Sequence, residues 1–303
     1  MFQQNKTLFI YCVSPLHMGA GTALGLIDNP IQRERHTDYP LIAGSGLKGA
    51  LRHGIGWQNK EQIKAVFGPE TRESSEQAGA VSFGDAQLVA FPIRSAKRGF
   101  VYATSATALG RAARLLSLAG VAAEWKIGQI AGGECRIANP DLLTEDRVCL
   151  EAFEFIAKCD PALRTVSEWL AEHALPYGAA CQYFRDKLKE DLVLLSDEDF
   201  SYFVRNATVV EPHVRIDDVS GTAQDGGLFY AECLPPESLL LAPVMASQER
   251  RKDGMSAEKV MQLLLEGDGT SKGINGRQMQ VGGDATTGRG QVILNVAGGL
   301  TNG

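Results

Sequence analysis

Strand-forming and helix-forming stretches do not alternate regularly along this chain, and that irregular order constrains its fold most. Residues 7–13, TLFIYCV, are apolar and rich in aromatic and β-branched side chains, as in a buried strand. Short helices are expected over 45–54 and over 61–67, the second ended by Gly68-Pro69, with a polar loop over 69–79. Strands are expected over 81–92 and 100–103. Residues 104–120 combine a Thr or Ser cap, an apolar face of Leu109, Ala112, Ala113 and Leu116, and a closing Gly120, which predicts a helix. The stretch 125–190 is less patterned, with helices expected from the Asp160-Pro161 cap to His173 and over 182–189. Residues 206–226 read as a hairpin or projecting arm, followed by strands over 228–234 and 238–245, a helix over 255–265, and strands over 278–281 and 291–296. This order gives an α+β fold, not a parallel βαβ sheet. No repeat of fixed period and no linker divides the chain, so one core with insertions at about 125–190 and 206–227 is expected.

The size of that core follows from composition: 44% hydrophobic and 22% charged residues suit a globular protein. No apolar run approaches the roughly 18 residues of a membrane span, so no membrane contact is expected. The opening MFQQNKTLFIYCV lacks a signal-peptide cleavage pattern, so a cytoplasmic location is expected. The six cysteines include no CxxC pair and the five histidines no HExxH, so a zinc site has little support.

The 33 glycines are clustered, and the clusters coincide with charge. Residues 27–52, IDNPIQRERHTDYPLIAGSGLKGALR, carry Arg33, Arg35, Lys48 and Arg52 against Asp28, Glu34 and Asp38, a positive surplus in a chain of net charge −6. GSGLKG at 44–49 matches GxGxxG, but a dinucleotide site also needs a preceding buried strand and an acid ending a second strand about twenty residues on. Neither is evident, and the P-loop spacing is absent. What remains is a glycine-lined helix entrance whose amides and dipole favour a phosphate, or a tight turn before a solvated cationic face. A second loop, GGDATTGRG at 282–290, adds Gly282, Gly283, Thr286, Thr287 and Arg289. Two such loops with hydroxyls (Ser45, Thr286) and cations suit a polyphosphate backbone better than one nucleotide. KRGFVYA at 97–103 lacks the full aromatic spacing of an RNA-stacking motif and reads as an ordinary strand. Asp28, before Asn29-Pro30, has a turn-forming context; His17, heading HMGAG, reads as a loop histidine, and Glu232, in LFYAECLP, as an edge or surface residue.

Together, HMGAG, DNPIQRE, PLIAGSGLKGALR, LFYAECLP and GGDATTGRGQV, in this order over nearly the whole chain, resemble the RAMP-superfamily backbone subunits of the Cmr-type (type III-B) CRISPR effector complex. Ala43 departs from the family's usual proline and Gly46 from a common serine. The resemblance implies a modified ferredoxin-like (RNA-recognition-type) core, helical insertions, and a β-hairpin thumb near 206–227. It implies a filament of head-to-tail copies on a CRISPR RNA, with other Cmr complex subunits, that cleaves the paired target RNA at regular intervals. By resemblance Asp28 is the catalytic aspartate and metal residue, His17 and Glu232 lie near the scissile phosphate, and the cofactor is a divalent cation, Mg2+ or Mn2+. RNA contacts are expected from Arg33, Ser45, Lys48, Arg52, Arg215, Gly282, Gly283, Thr286 and Arg289. A non-cleaving scaffold of the same fold, with Asp28 a turn residue, and a nucleotide-dependent enzyme using GSGLKG are the rival readings.

Overall fold

A computed structural model describes residues 2–69 and 78–297; most of the polar loop expected over 69–79 therefore lies outside the described residues. The first half of the chain forms β1 (Gln4–Cys12), β2 (Leu41–Ile42), α1 (Gly44–Gly54), α2 (Lys60–Phe67), β3 (Val81–Phe83), β4 (Ala86–Ser95), β5 (Gly99–Ser105) and α3 (Ala106–Leu118). Next come β6 (Glu134–Ile137), β7 (Arg147–Leu150), β8 (Phe153–Cys159), α4 (Pro161–His173), α5 (Ala179–Glu190), β9 (Leu192–Leu195) and α6 (Asp197–Asn206). The chain continues through β10 (Val209–Ile216), β11 (Ala223–Cys233), β12 (Leu239–Ala246), α7 (Ala257–Glu266), β13 (Gln278–Gln280) and β14 (Gln291–Val296).

Twelve of these strands form one sheet in the order β13-β14-β1-β12-β4-β5-β9-β6-β8-β7, with β2 beside β4 and β3 beside β12. β1 lies inside it, third from the β13 edge, antiparallel to β12 on one side (Leu8↔Ala242, Ile10↔Leu240) and to β14 on the other (Leu8↔Val296). Its side chains alternate between two cores. Leu8, Ile10 and Cys12 join Leu47, Leu51, Val66, Phe203 and Leu264 on the face covered by α1, α2, α6 and α7. Phe9 and Tyr11 join Leu109, Leu116, Leu163, Leu170 and Leu188 on the face covered by α3, α4 and α5. Burial on both faces explains why TLFIYCV is continuously apolar instead of alternating.

The structure departs from the expected elements where local signals were short. The strand expected over 81–92 breaks at Gly84-Asp85 into β3 and β4. Gly84 sits against the Pro243 ring, where a Cβ would fall 2.6 Å from Cγ, and its amide donates to the Pro243 carbonyl at 2.9 Å. The stretch 125–190 is not simply helical: β6, β7 and β8 extend the sheet, and β9 just after it pairs in parallel with β5. α6 was not anticipated, although Ser196 caps it through the Asp199 amide and Asp197, Glu198 and Asp199 fill its first turn.

β10 and β11 form a separate two-stranded sheet, so the projecting arm runs from Val209 to Cys233 and absorbs the strand expected over 228–234. Its register shifts between Val214 and Ile216, around Arg215. Val214, Ile216 and Leu228 are exposed, so the arm adds little to either core. No helix among the described residues is long and apolar enough to cross a membrane.

Helix α1 approaches the sheet at Gly44, where an added Cβ would collide with the Phe83 carbonyl and the Gly84 backbone. Gly44→Ala is expected to destabilise the fold by about 1–3 kcal/mol, the usual cost of overpacking, read as a lower urea midpoint. Removing the turn between β10 and β11 should leave that midpoint nearly unchanged.

Candidate functional site

The sequence expectation for Glu232 is reversed. It is 2% exposed, and its carboxylate accepts three hydrogen bonds: from the Ile31 amide at 3.0 Å, Arg33 Nη2 at 2.5 Å and Thr208 Oγ1 at 2.8 Å. Those donors come from the Asp28 loop, its basic continuation and the foot of the hairpin. Arg33 is itself fixed, donating from Nη1 to the carbonyls of Asp38 and Val204. A charge-assisted pair with satisfied lone pairs is the arrangement in which buried ions are tolerated. Glu232 thus ties three segments together from the inside.

Asp28 is half-buried on the segment that runs beside β11. Asn29 bridges Ala231 in parallel; its amide donates to the Tyr230 carbonyl at 3.0 Å, and its carbonyl accepts from the Glu232 amide at 3.0 Å. Asp28 Oδ2 accepts the Tyr230 amide at 2.7 Å, while Oδ1 has no hydrogen-bond partner among the described residues. The residue is therefore more than a turn former: it closes an open strand amide with one oxygen and keeps the other available. Residues 20–26 before it are exposed, Leu24 and Leu26 almost wholly so.

His17 reaches the same strand. Its Nδ1 lies 2.7 Å from the Glu232 carbonyl, and because a carbonyl only accepts, Nδ1 carries the hydrogen and a neutral ring keeps its lone pair on Nε2. Asp28 and His17 thus attach to β11 two residues apart, roughly 7 Å along a strand.

Three glycine-rich segments pack around this histidine. Gly282 has φ +86°, and a Cβ there would lie 2.5 Å from the His17 carbonyl; the Gly283 amide donates to that carbonyl at 2.9 Å. A Cβ on Gly46 would lie 2.7 Å from Met18 Cε, and one on Gly19 2.9 Å from His17 Nε2. These glycines serve close approach between segments. The entrance of α1 is also partly filled: Asp85 Oδ1 accepts the Gly44 amide at 2.8 Å and Gln32 Oε1 the Ala43 amide at 3.1 Å. Ser45 is exposed beside this entrance.

Most of the expected RNA-contacting cations have protein partners. Lys48 Nζ donates to the Val81 carbonyl at 2.8 Å, and burial, then the neighbouring Arg52 charge, lower its pKa. Arg52 Nη1 bonds the carbonyls of Gly68 and Pro69. Arg289 pairs with Glu211 of the hairpin and lies 3.6 Å from Cys233 Sγ, clasping the second glycine-rich loop to β10. Arg215 is exposed, its guanidinium 5.9 Å from the Phe229 ring centroid, and Thr286 is exposed on its loop. The structure thus brings His17, Asp28, Arg33, Glu232, Gly282, Gly283 and Arg289 together, with Ser45 adjoining through α1. Lys48 and Arg52 anchor α1 to β3 and to the end of α2. Thr208, Gln32 and Asp85 were missed; only the hydroxyl of Thr208, next to the hairpin, carried any sequence signal.

A family model described as the RAMP superfamily matches residues 9–293. Over 299 residues the chain is 34% identical to the CRISPR system Cmr endoribonuclease Cmr4 of Pyrococcus furiosus, covering 97% of this chain and 96% of that protein. It is 25% identical over 261 residues to the CRISPR system CMR subunit Cmr4 of Saccharolobus solfataricus, covering 80% and 84% respectively. The crystal structure of oligomeric Cmr4 from Pyrococcus furiosus aligns with a TM-score of 0.73 at 27% identity, over 98% of this chain and all of that one (100%). A chain of the type III-B Cmr-beta complex bound to cognate target RNA shares the fold, with a TM-score of 0.73 at 20% identity over 97% of this chain and 98% of that one.

Glu232→Ala would leave the Arg33 guanidinium without its carboxylate in a largely buried position. A loss of about 3–5 kcal/mol is expected, measured by urea unfolding.

Proposed function

The chain belongs to the RAMP superfamily, and from that membership we propose that it is a backbone subunit of a type III-B CRISPR ribonucleoprotein, binding CRISPR RNA and cleaving the target RNA paired to it. Support comes from the relative named an endoribonuclease, 34% identical over 97% of this chain. The observation that carries the cleaving reading is Asp28: a half-exposed carboxylate pinned by one oxygen and open at the other, on a loop braced from within by Glu232. Copies of the chain assemble head to tail, as suits a guide that reads sequence by base pairing while protein holds backbone; the oligomeric relative is consistent with this. Other Cmr subunits complete the particle. The β10–β11 hairpin is the thumb. The ferredoxin-like core belongs to the same reading, supported by the antiparallel β1, β12 and β4 at the sheet centre.

In this reading the 2′-hydroxyl of the target attacks the adjacent phosphorus, and the bond to the 5′-oxygen breaks. The products are a cyclic phosphate and a free 5′-hydroxyl, with one proton removed and one returned. Asp28 Oδ1 orients or deprotonates the 2′-hydroxyl, and His17 Nε2 exchanges a proton on the same face. Glu232 is a positioning residue, its oxygens already taken by Ile31, Arg33 and Thr208. Among the described residues no group of three His, Cys, Asp or Glu gathers as a metal cage. A divalent cation, Mg2+ or Mn2+, would find one carboxylate oxygen here and draw its other ligands from RNA phosphate and water, as Mg2+ commonly does. When bound it supplies charge neutralisation at the phosphate. Ser45, Gly283, Thr286 and Arg215 are the expected guide contacts that remain exposed. The nucleotide-enzyme alternative loses ground, because β2 is two residues long, antiparallel to β4, and α1 opens on Asp85.

Asp28→Asn keeps an acceptor for the Tyr230 amide and removes only the charge. Target cleavage should fall by about 10²–10⁴, the range for a lost acid–base group, with thermal stability and target affinity near wild type. Cutting at the wild-type rate would make Asp28 a turn residue and place the cleaving group elsewhere. EDTA should stop cleavage without releasing bound target.

A further inference from the structure

We propose that the cleft between α1 and α2 is a phosphate subsite for a single RNA strand, separate from the Asp28 loop; the proposal rests on the RNA-binding reading above. The cleft has a volume of about 520 Å³, and its walls include Arg52 and His53 from α1 and Lys60 and Lys64 from α2. Among the described residues one carboxylate, Glu61, lines it, and this is held by Arg251 Nη2 at 2.6 Å. Among the described residues the lining is therefore cationic, between two helices of a chain whose net charge is −6. Such local focusing in an acidic protein suits a polyanion drawn to one channel and repelled elsewhere.

The geometry favours an extended backbone over a compact anion. Lys60 and Lys64 stand four apart on one face of α2, opposite Arg52 and His53 four and five residues after Lys48. Arg52 is held in place by the Gly68 and Pro69 carbonyls, so less of its side-chain freedom remains to be lost on binding. At Gly49 an added Cβ would meet nothing within 4 Å, which leaves the wall open to a strand arriving along α1. That helix, about 16 Å long at 1.5 Å per residue, begins where Gly46 meets Met18 beside His17. One strand lying along α1 can thus touch the glycine-rich site at one end and the cleft at the other.

The test uses the full chain and its His53→Gln/Lys60→Gln variant, both side chains being exposed and outside the Asp28 site. Lys158→Gln, an exposed residue of β8, controls for net charge. Affinity for fluorescein-labelled single-stranded RNA is followed by anisotropy from 50 to 200 mM salt (about 50 to 200 mM being where phosphate contacts separate well). A second arm follows target binding to chain already loaded with guide. In the arm whose strand occupies the cleft, the double variant should lower the magnitude of the log–log salt slope by ~0.7 for each lost phosphate contact. The loss should be the same for unrelated RNA sequences, and Lys158→Gln should behave as wild type. An unchanged slope in both arms, with wild type binding RNA, overturns the cleft alone; a wild type that binds no RNA overturns it together with the reading it rests on. Lost self-association with an intact slope would assign the cleft to an acidic protein surface and also overturn the proposal.

Discussion

The candidate site depends on one buried ion pair. Glu232 enters from the end of the hairpin, Arg33 from the chain after Asp28, and the two meet at 2.5 Å. Isolating either charge there would cost several kcal/mol, so the pairing fixes how the Asp28 loop, the hairpin foot and, through the Val204 carbonyl, α6 sit relative to one another. His17 bonds the backbone carbonyl of the same glutamate. Chemistry and scaffold therefore share residue 232: its side chain braces the loop and its main chain orients the imidazole.

Around that pair the glycines let three chain segments lie closer than side chains would permit. The first and last glycine-rich segments touch at His17 and Gly282, and α1 reaches them through Gly46 and Met18. Sites that arrange groups for a charged transition state gain from such rigid support, since small misplacements cost much of the rate. The exposed leucines at 24 and 26 show that the loop entering the site, by contrast, packs these side chains into neither core.

Much of this was legible in the sequence. β1, α1, α3, α4, α7 and β14 carry long apolar periods or clear caps. The four-residue strands β6, β7 and β9 do not, because ECRI, RVCL and LVLL are too short to show a period and take their pairing from distant partners. The grouping of Asp28, His17 and Glu232 was read from resemblance, but the state of Glu232 was not, since burial and three donors arise from tertiary contacts. The basic cluster was visible as composition, but its partners within the protein were not. Lys48, Arg52 and Arg289 bond within the protein, and no sequence pattern shows which cations also hold a carbonyl or a carboxylate.

The account's central claim is that Glu232 positions the reacting groups without itself exchanging a proton. The direct measurement is the pH–rate profile of target cleavage by Glu232→Gln at saturating target. A positioning role predicts a lower rate at every pH, with the bends of the profile where wild type has them. Disappearance or displacement of one bend in this variant would show that the Glu232 carboxylate takes part in the proton transfers, and would contradict the account.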